Sequence, residues 1–200
     1  MIVRPYTLDD LPGLLTIQAE CFPPPFPPEL WWRREQIASH VERFPEGALC
    51  VEHDGQLLAS ATALIIAFDP AHPDHTWAEV ADGGFLRTHR PEGDTLYGID
   101  VAVRPAWRGR GVARLLYQAR FALVRRLGLL RFLAGSRLSG WHHHRELSHE
   151  TYAAEVVAGR LIDPVITPQL KAGLHPLSVI HDYIEDDESG NAALLMEWTP

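Results

Sequence analysis

The chain has 200 residues, 46% hydrophobic and 22% charged, a size and balance suited to a single domain over 1–200 with its own core. A formal net charge of −8 argues against a generic binder of nucleic acid or anionic membrane, and the longest apolar run, Ala59 to Phe68, is too short to span a bilayer. Two cysteines, Cys21 and Cys50, and no apolar run behind a basic start lead to the expectation of a soluble protein in the reducing cytoplasm.

Ile2 to Tyr6 reads as a strand. Thr7 with Asp10 three residues on opens a helix carrying Leu8, Leu11, Leu14, Leu15 and Ile17, which ends by Phe22. The proline run from Pro23 to Pro28 can be neither helix nor sheet interior and acts as a stiff connector to a second helix over 29–44. Phe26, Trp31 and Trp32 beside it are candidates for the rim of a cleft. Asp54-Gly55 is a two-residue hairpin turn between strands at Ala48–His53 and Gln56–Phe68. The stretch 69–94 lacks sustained periodicity and is long for a bare connection, so it is a candidate functional loop with room for a short strand.

Thr95 to Val103 is a strand, Arg104 to Gly111 a turn and Val112 to Leu127 a helix. Val112, Leu115, Leu116, Ala119, Ala122, Leu123 and Leu127 fall on one helical face, and Phe121 breaks the pattern. Gly128 caps that helix before an apolar strand over Leu129–Ala134, which completes a strand-helix-strand unit with parallel strands. Helices follow from Ser148 to Gly159 and from Pro168, capped by Thr167, to Gly173. Strands near Leu177–Ile184 and Ala192–Trp198 close the chain. The fold class is α/β, with about seven strands in a mixed sheet and helices on both faces.

The turn at 104–111 carries the chemistry. From Arg104 to Arg137 there are nine arginines and no acid, which leaves the rest of the chain strongly acidic. A strand running through Val101, Ala102 and Val103 enters Arg108-Gly109-Arg110-Gly111 and opens directly onto the helix at Val112-Ala113-Arg114. The first helical N–H groups lack intrahelical partners, the helix dipole adds positive charge, and the two glycines let a phosphate approach the backbone. No third glycine completes a dinucleotide fingerprint, because that position is Arg114. No Gly-Lys-Ser/Thr follows either, and Lys171 is the only lysine.

Arg108-Gly109-Arg110-Gly111-Val112-Ala113, preceded by Val103-Arg104-Pro105, resembles the Arg/Gln-x-x-Gly-x-Gly/Ala signature of the GNAT superfamily of N-acetyltransferases. The element order is similar along most of the chain, and residues 97–127 carry the motif. The resemblance implies an acyl-CoA N-acyltransferase fold and acetyl-CoA as cosubstrate. Its diphosphate would lie on the amides from Arg108 to Ala113, with phosphate contacts from Arg108, Arg110 and Arg114. Its arm would lie along Val101, Ala102 and Val103. It further implies direct transfer to an amine of a small molecule or peptide, with Asp100 as the candidate catalytic carboxylate.

Many members carry a Leu-Tyr-x-x-x-Gly-Phe segment whose tyrosine protonates the departing thiolate. The matching stretch here has Gln169 in that place, so Tyr152 or Tyr183 would have to serve if any acid does. The added segment 136–168 resembles elaborated members that stand alone or accompany a nitrilase. Its histidines, His142 to His144, diverge as consecutive side chains do, and no metal is expected. The rival readings are a non-catalytic acyl-CoA-binding module and nucleic-acid contact along the arginine-bearing helix, the latter opposed by the net charge. Edge strands and the proline-rich connector would allow a homodimer.

Overall fold

The computed structural model describes residues 1–24, 26 and 31–200. One seven-stranded sheet organises them, with strand order β1-β2-β3-β4-β5-β7-β6. The strands are β1 (Ile2–Pro5), β2 (Ala48–His53), β3 (Gln56–Ile66), β4 (Thr95–Val103), β5 (Arg131–Arg137), β6 (His175–Ile180) and β7 (Ala193–Trp198). Every neighbouring pair is antiparallel except β4 and β5, which run parallel across a helical crossover.

Alternation along the strands sends side chains to the two faces of the sheet. Tyr97, Leu133 and Leu195 face a cluster with Leu14 and Ile17 of α1 (Leu11–Cys21), Ile37 of α2 (Arg34–Arg43), and Val80 and Ala81 of α3 (Trp77–Ala81). Their neighbours Leu96, Phe132 and Leu194 face Tyr117, Phe121 and Val124 of α4 (Val112–Leu127), Tyr152 and Val156 of α5 (His149–Val157), and Ile166 of α6 (Ile166–Ala172). Helices therefore cover both faces.

Local chemistry sets the element ends. Thr7 and Asp10 form a capping box at a short 3-10 turn that leads into α1, and Arg4 holds Asp10 through two bonds of 2.8 Å while its Nε donates to Glu52 at 2.7 Å. Arg104, at the end of β4, donates to both carboxylate oxygens of Glu20 at 2.9 and 2.6 Å and so ties the last turn of α1 to the signature turn.

Two expected strands are displaced, Leu129–Ala134 being resolved as Arg131–Arg137 and Leu177–Ile184 as His175–Ile180, and four further expectations need correction. The helix expected over 29–44 is resolved as Arg34–Arg43, and its first expected residues lie outside the described ones. The stretch 69–94 holds a short helix rather than a strand, because Thr76 and Glu79 form a capping box, with Thr76 Oγ1 accepting from the Glu79 N–H at 3.1 Å. The helix α6 begins two residues before Pro168: Asp163 Oδ1 accepts from the N–H groups of Val165 and Ile166 at 2.7 and 2.8 Å, so Asp163 serves the first turn in place of Thr167. On α4, Arg120 and Phe121 are buried while Ala122 and Leu127 point outward. The cause is Trp198, which stacks on Phe121 at 4.1 Å and widens the covered arc beyond a single stripe.

Candidate active site

Strands β4 and β5 pair only from Thr95↔Arg131 to Gly98↔Ala134. Beyond that point β4 continues against β3 alone, so the edge it turns towards β5 has no strand partner. The register against β3 also jumps, from Thr62↔Asp100 to Ala63↔Gly98, which makes Ile99 the extra residue of a β-bulge. Two side chains hold the bulge. Asp100 Oδ1 accepts the Thr62 N–H at 2.6 Å. Arg120, only 2% exposed, reaches up from α4 and donates through Nη2 to the carbonyls of Thr62, at 2.8 Å, and Asp100. Among the described residues no carboxylate is bonded to its guanidinium, and burial pushes its pKa down, opposed by Tyr117 and Asp100.

At the far end of β4, Pro105–Trp107 forms one 3-10 turn, and Gly109 and Gly111 then take φ of +72° and +81°. Those left-handed conformations suit glycine, and no described residue lies within 4 Å of where either Cβ would be. Gly111 is the N-cap of α4, which has no acid in its first turn, so the N–H groups that follow it are open to an anion.

The turn borders a groove of about 1060 Å³. Val101, Ala102, Val103, Arg108, Gly109, Gly111, Val112, Ala113 and Arg114 all line it, as does Lys171 of α6. Arg110 is not among the lining residues, and its guanidinium sits 5.2 Å from the Trp107 ring centre. The Arg108 Nε donates to the Val103 carbonyl at 3.0 Å. The acidic turn 185–188 also reaches the groove, where Arg137 engages Asp186 at 2.6 Å and Glu188 at 3.1 Å. The residues present therefore fit a diphosphate: open amides, two glycines without side chains, and arginines without a competing acid on the same turn.

The groove shares Phe22, Phe26, Val101, Tyr117, Arg137 and Val165 with an inner pocket of about 150 Å³ in the wedge between β4 and β5. Asp100 and Arg120 line this pocket beside Trp32 and Trp77, whose rings stack at 5.8 Å. Trp31 does not line it and instead donates Nε1 to the Phe22 carbonyl at 3.2 Å. Gln169 is 3% exposed and bonded at both ends of its amide, accepting from Ser136 Oγ at 2.6 Å and donating to the Tyr117 hydroxyl at 3.0 Å. Of the two tyrosines considered as acids, Tyr152 donates to Asp163 at 2.9 Å away from the pocket, whereas Tyr183 lines it.

The histidine triplet lies on and just after a 3-10 turn, with His142 Nδ1 at 2.8 Å from the Ser139 carbonyl. Among the described residues, no three His, Cys, Asp or Glu side chains converge as a metal set would. Cys21 and Cys50 are free thiols, and burial pushes Cys50 up to about 11. Among the described residues, no helix is long and apolar enough to cross a membrane.

Four residues of this neighbourhood escape sequence reasoning: Tyr97, Tyr117, Arg120 and Trp77. Arg120 and Tyr117 sit on a helix that reads as amphipathic, where an arginine looks like solvent surface. A lone arginine next to the pattern-breaking Phe121 is the one available signal.

The profile of the acetyltransferase (GNAT) family matches residues 11–139. A protein of Bacillus subtilis (strain 168), the uncharacterized N-acetyltransferase YkwB, is 43% identical over 199 residues, covering 99% of this chain and 88% of that one. The probable hydrolase YhcX of the same organism is 35% identical over 200 residues, which cover 99% of this chain and 38% of that one. Among solved structures, the GphF GNAT-like decarboxylase in complex with isobutyryl-CoA superposes with a TM-score of 0.82 at 25% identity, covering 100% of this chain and 99% of that one. With the profile matching well over half of the residues, YkwB aligning along nearly all of them and the sheet splayed beside a glycine-arginine turn, the chain belongs to the acetyltransferase (GNAT) family.

Proposed function

We propose that the protein is an acetyl-CoA-dependent N-acetyltransferase acting on the primary amine of a small molecule or peptide. The observation that carries this reading is continuity: the glycine-arginine turn, the groove and the pocket at the strand wedge share walls, with Val101 and Tyr117 common to groove and pocket. The amides of Val112, Ala113 and Arg114 would hold the diphosphate, with Arg108 and Arg114 adding charge. The unpaired edge of β4 at Val101 to Val103 would bond the arm as a sheet neighbour does. When bound, acetyl-CoA supplies an activated acyl thioester.

Asp100 is the residue we assign to receive and orient the amine. Its Oδ1 is held by Thr62, and no described residue bonds Oδ2. One charge-assisted hydrogen bond contributes about 1.5–3 kcal/mol. Asp100→Asn is therefore expected to lower kcat/KM for the amine by about 10- to 100-fold, with acetyl-CoA affinity unchanged by calorimetry. An unaltered kcat/KM would remove Asp100 from the site.

The reading itself is tested by titrating wild-type protein with acetyl-CoA and by following thiol release across a panel of primary amines. No binding heat, or binding without turnover of any amine, would count against it. The likeness to a decarboxylase seen with isobutyryl-CoA favours a second reading, in which the same groove and pocket serve loss of carbon dioxide from a carboxylated acyl thioester. Carbon dioxide release without an amine separates the two. Binding with neither outcome leaves a non-catalytic acyl-CoA module.

A further inference from the structure

A hydrogen-bonded chain leads out of the inner pocket towards the protein surface. Tyr183, 2% exposed, lines the pocket together with Asp100. Its hydroxyl lies 3.1 Å from that of Tyr97, and the Tyr97 hydroxyl lies 2.7 Å from His75 Nε2. His75 is half-buried on the loop before α3, so its outer end is within reach of water.

The protons along this chain have one consistent direction. His75 Nδ1 lies 2.7 Å from the Pro73 carbonyl, which can only accept, so Nδ1 carries the hydrogen and Nε2 of the neutral ring accepts. Tyr97 must then donate to His75. The Tyr97 oxygen takes the Gly135 N–H at 3.1 Å, and its other lone pair takes the Tyr183 O–H. The Tyr183 oxygen receives no hydrogen bond from any described residue. The inner end of the chain is thus a lone pair, suited to a donor such as an amine.

We infer that Tyr183 takes the proton released by the acceptor amine and passes it through Tyr97 to His75. This inference rests on the amine-acylating reading above. The amine N–H bond breaks as an O–H bond forms on Tyr183. The original Tyr183 proton moves to Tyr97, and the Tyr97 proton moves to His75 Nε2. One positive charge leaves the ammonium and appears on the imidazole, and neither phenol is left charged. Tyr183 is the catalytic residue in this scheme, and Tyr97 and His75 act through it.

The surroundings set the resting protonation of the chain. Burial holds both phenols well above the ordinary tyrosine value, so neither rests as a phenolate. Burial also pushes His75 below the ordinary histidine value, opposed by Glu79 of α3 and by Asp74. The aromatic rings that face it, Tyr97 and Tyr183, lie edge-on at 5.2 and 5.9 Å. His75 is therefore neutral near pH 7 and able to accept.

The test is the pH dependence of amine acetylation by the full chain, with acetyl-CoA affinity measured alongside. In wild-type protein kcat/KM should fall as pH drops through the titration of His75, below the ordinary histidine value. His75→Gln, at a partly exposed position and with its thermal midpoint measured as the control for folding, should lose that acid limb. Tyr97→Phe and Tyr183→Phe should each lower kcat by about 10²-fold and leave the Kd for acetyl-CoA unchanged. An acid limb that survives His75→Gln and disappears in Asp100→Asn overturns the relay in favour of the carboxylate. Wild-type kcat in both phenylalanine variants overturns the relay alone, and a wild-type protein that turns over no amine overturns the parent reading with it.

Discussion

Gly111→Asp is expected to weaken acetyl-CoA binding by at least about 100-fold, whereas Gly111→Asn should retain most of it. The two side chains are nearly isosteric, and both residue types tolerate the left-handed backbone that Gly111 adopts at φ +81°. Space does not decide the outcome, since no described residue lies within 4 Å of the position of a Cβ. Charge does. A carboxylate at the N-cap of α4 would stand where the diphosphate is to be held and would take up the same open amides. Two like charges a few ångströms apart at an effective dielectric constant near 20 repel by about 3–4 kcal/mol, enough for the stated loss. Calorimetric titration of both variants checks this, with thermal midpoints as the control for folding. Equal affinities in the two variants would mean that the diphosphate lies elsewhere.

Arg120→Ala should reduce stability by about 3 kcal/mol or more in urea unfolding, with a shifted midpoint. Three effects compete. The truncation leaves a cavity beneath the sheet, and the carbonyls of Thr62 and Asp100 lose the Nη2 donor, at about 1–3 kcal/mol for each acceptor left unsatisfied. Against these, removing a buried guanidinium whose Nε has no partner relieves desolvation. Cation–π contacts with Phe132 and Tyr117, at 5.4 and 5.9 Å, already temper that desolvation, so the first two effects dominate. Arg120→Lys keeps a stem and one donor group and should lose less. A loss below about 1 kcal/mol for the alanine variant would show that the bulge holds its shape without the arginine.

The parts of the fold that are legible in the sequence are those with local signals. Strand β4 and helix α4 have the same bounds in sequence and structure because Gly111 and Gly128 punctuate the helix and both adopt left-handed conformations. The hairpin at Asp54-Gly55 is legible for the same reason, and the start of α5 falls within one residue of the expected Ser148, which is its N-cap. The wedge is only partly so. That Val101 to Val103 run beside the glycine-arginine turn follows from the motif, but the bulge at Ile99 does not, because it arises from register between strands far apart in the chain. Arg120 reads as surface until the bulge above it supplies carbonyls to bond. Tyr97 and Tyr183 are 86 residues apart, and only the folded sheet brings their hydroxyls together. The loop 69–94 stands out by its length, yet its contribution of His75 and Trp77 to the pocket region depends on the Trp77 N–H donating to the Tyr183 carbonyl at 2.7 Å.

Because β4 loses its parallel neighbour after Gly98, a guest held in the wedge as proposed would be gripped largely by main-chain groups that every residue type except proline carries in full. Alanine scanning along Val101 to Val103 would consequently understate how much that stretch matters. A proline, which deletes one amide hydrogen at a time, or an ester substitution in the backbone, would expose the contribution directly.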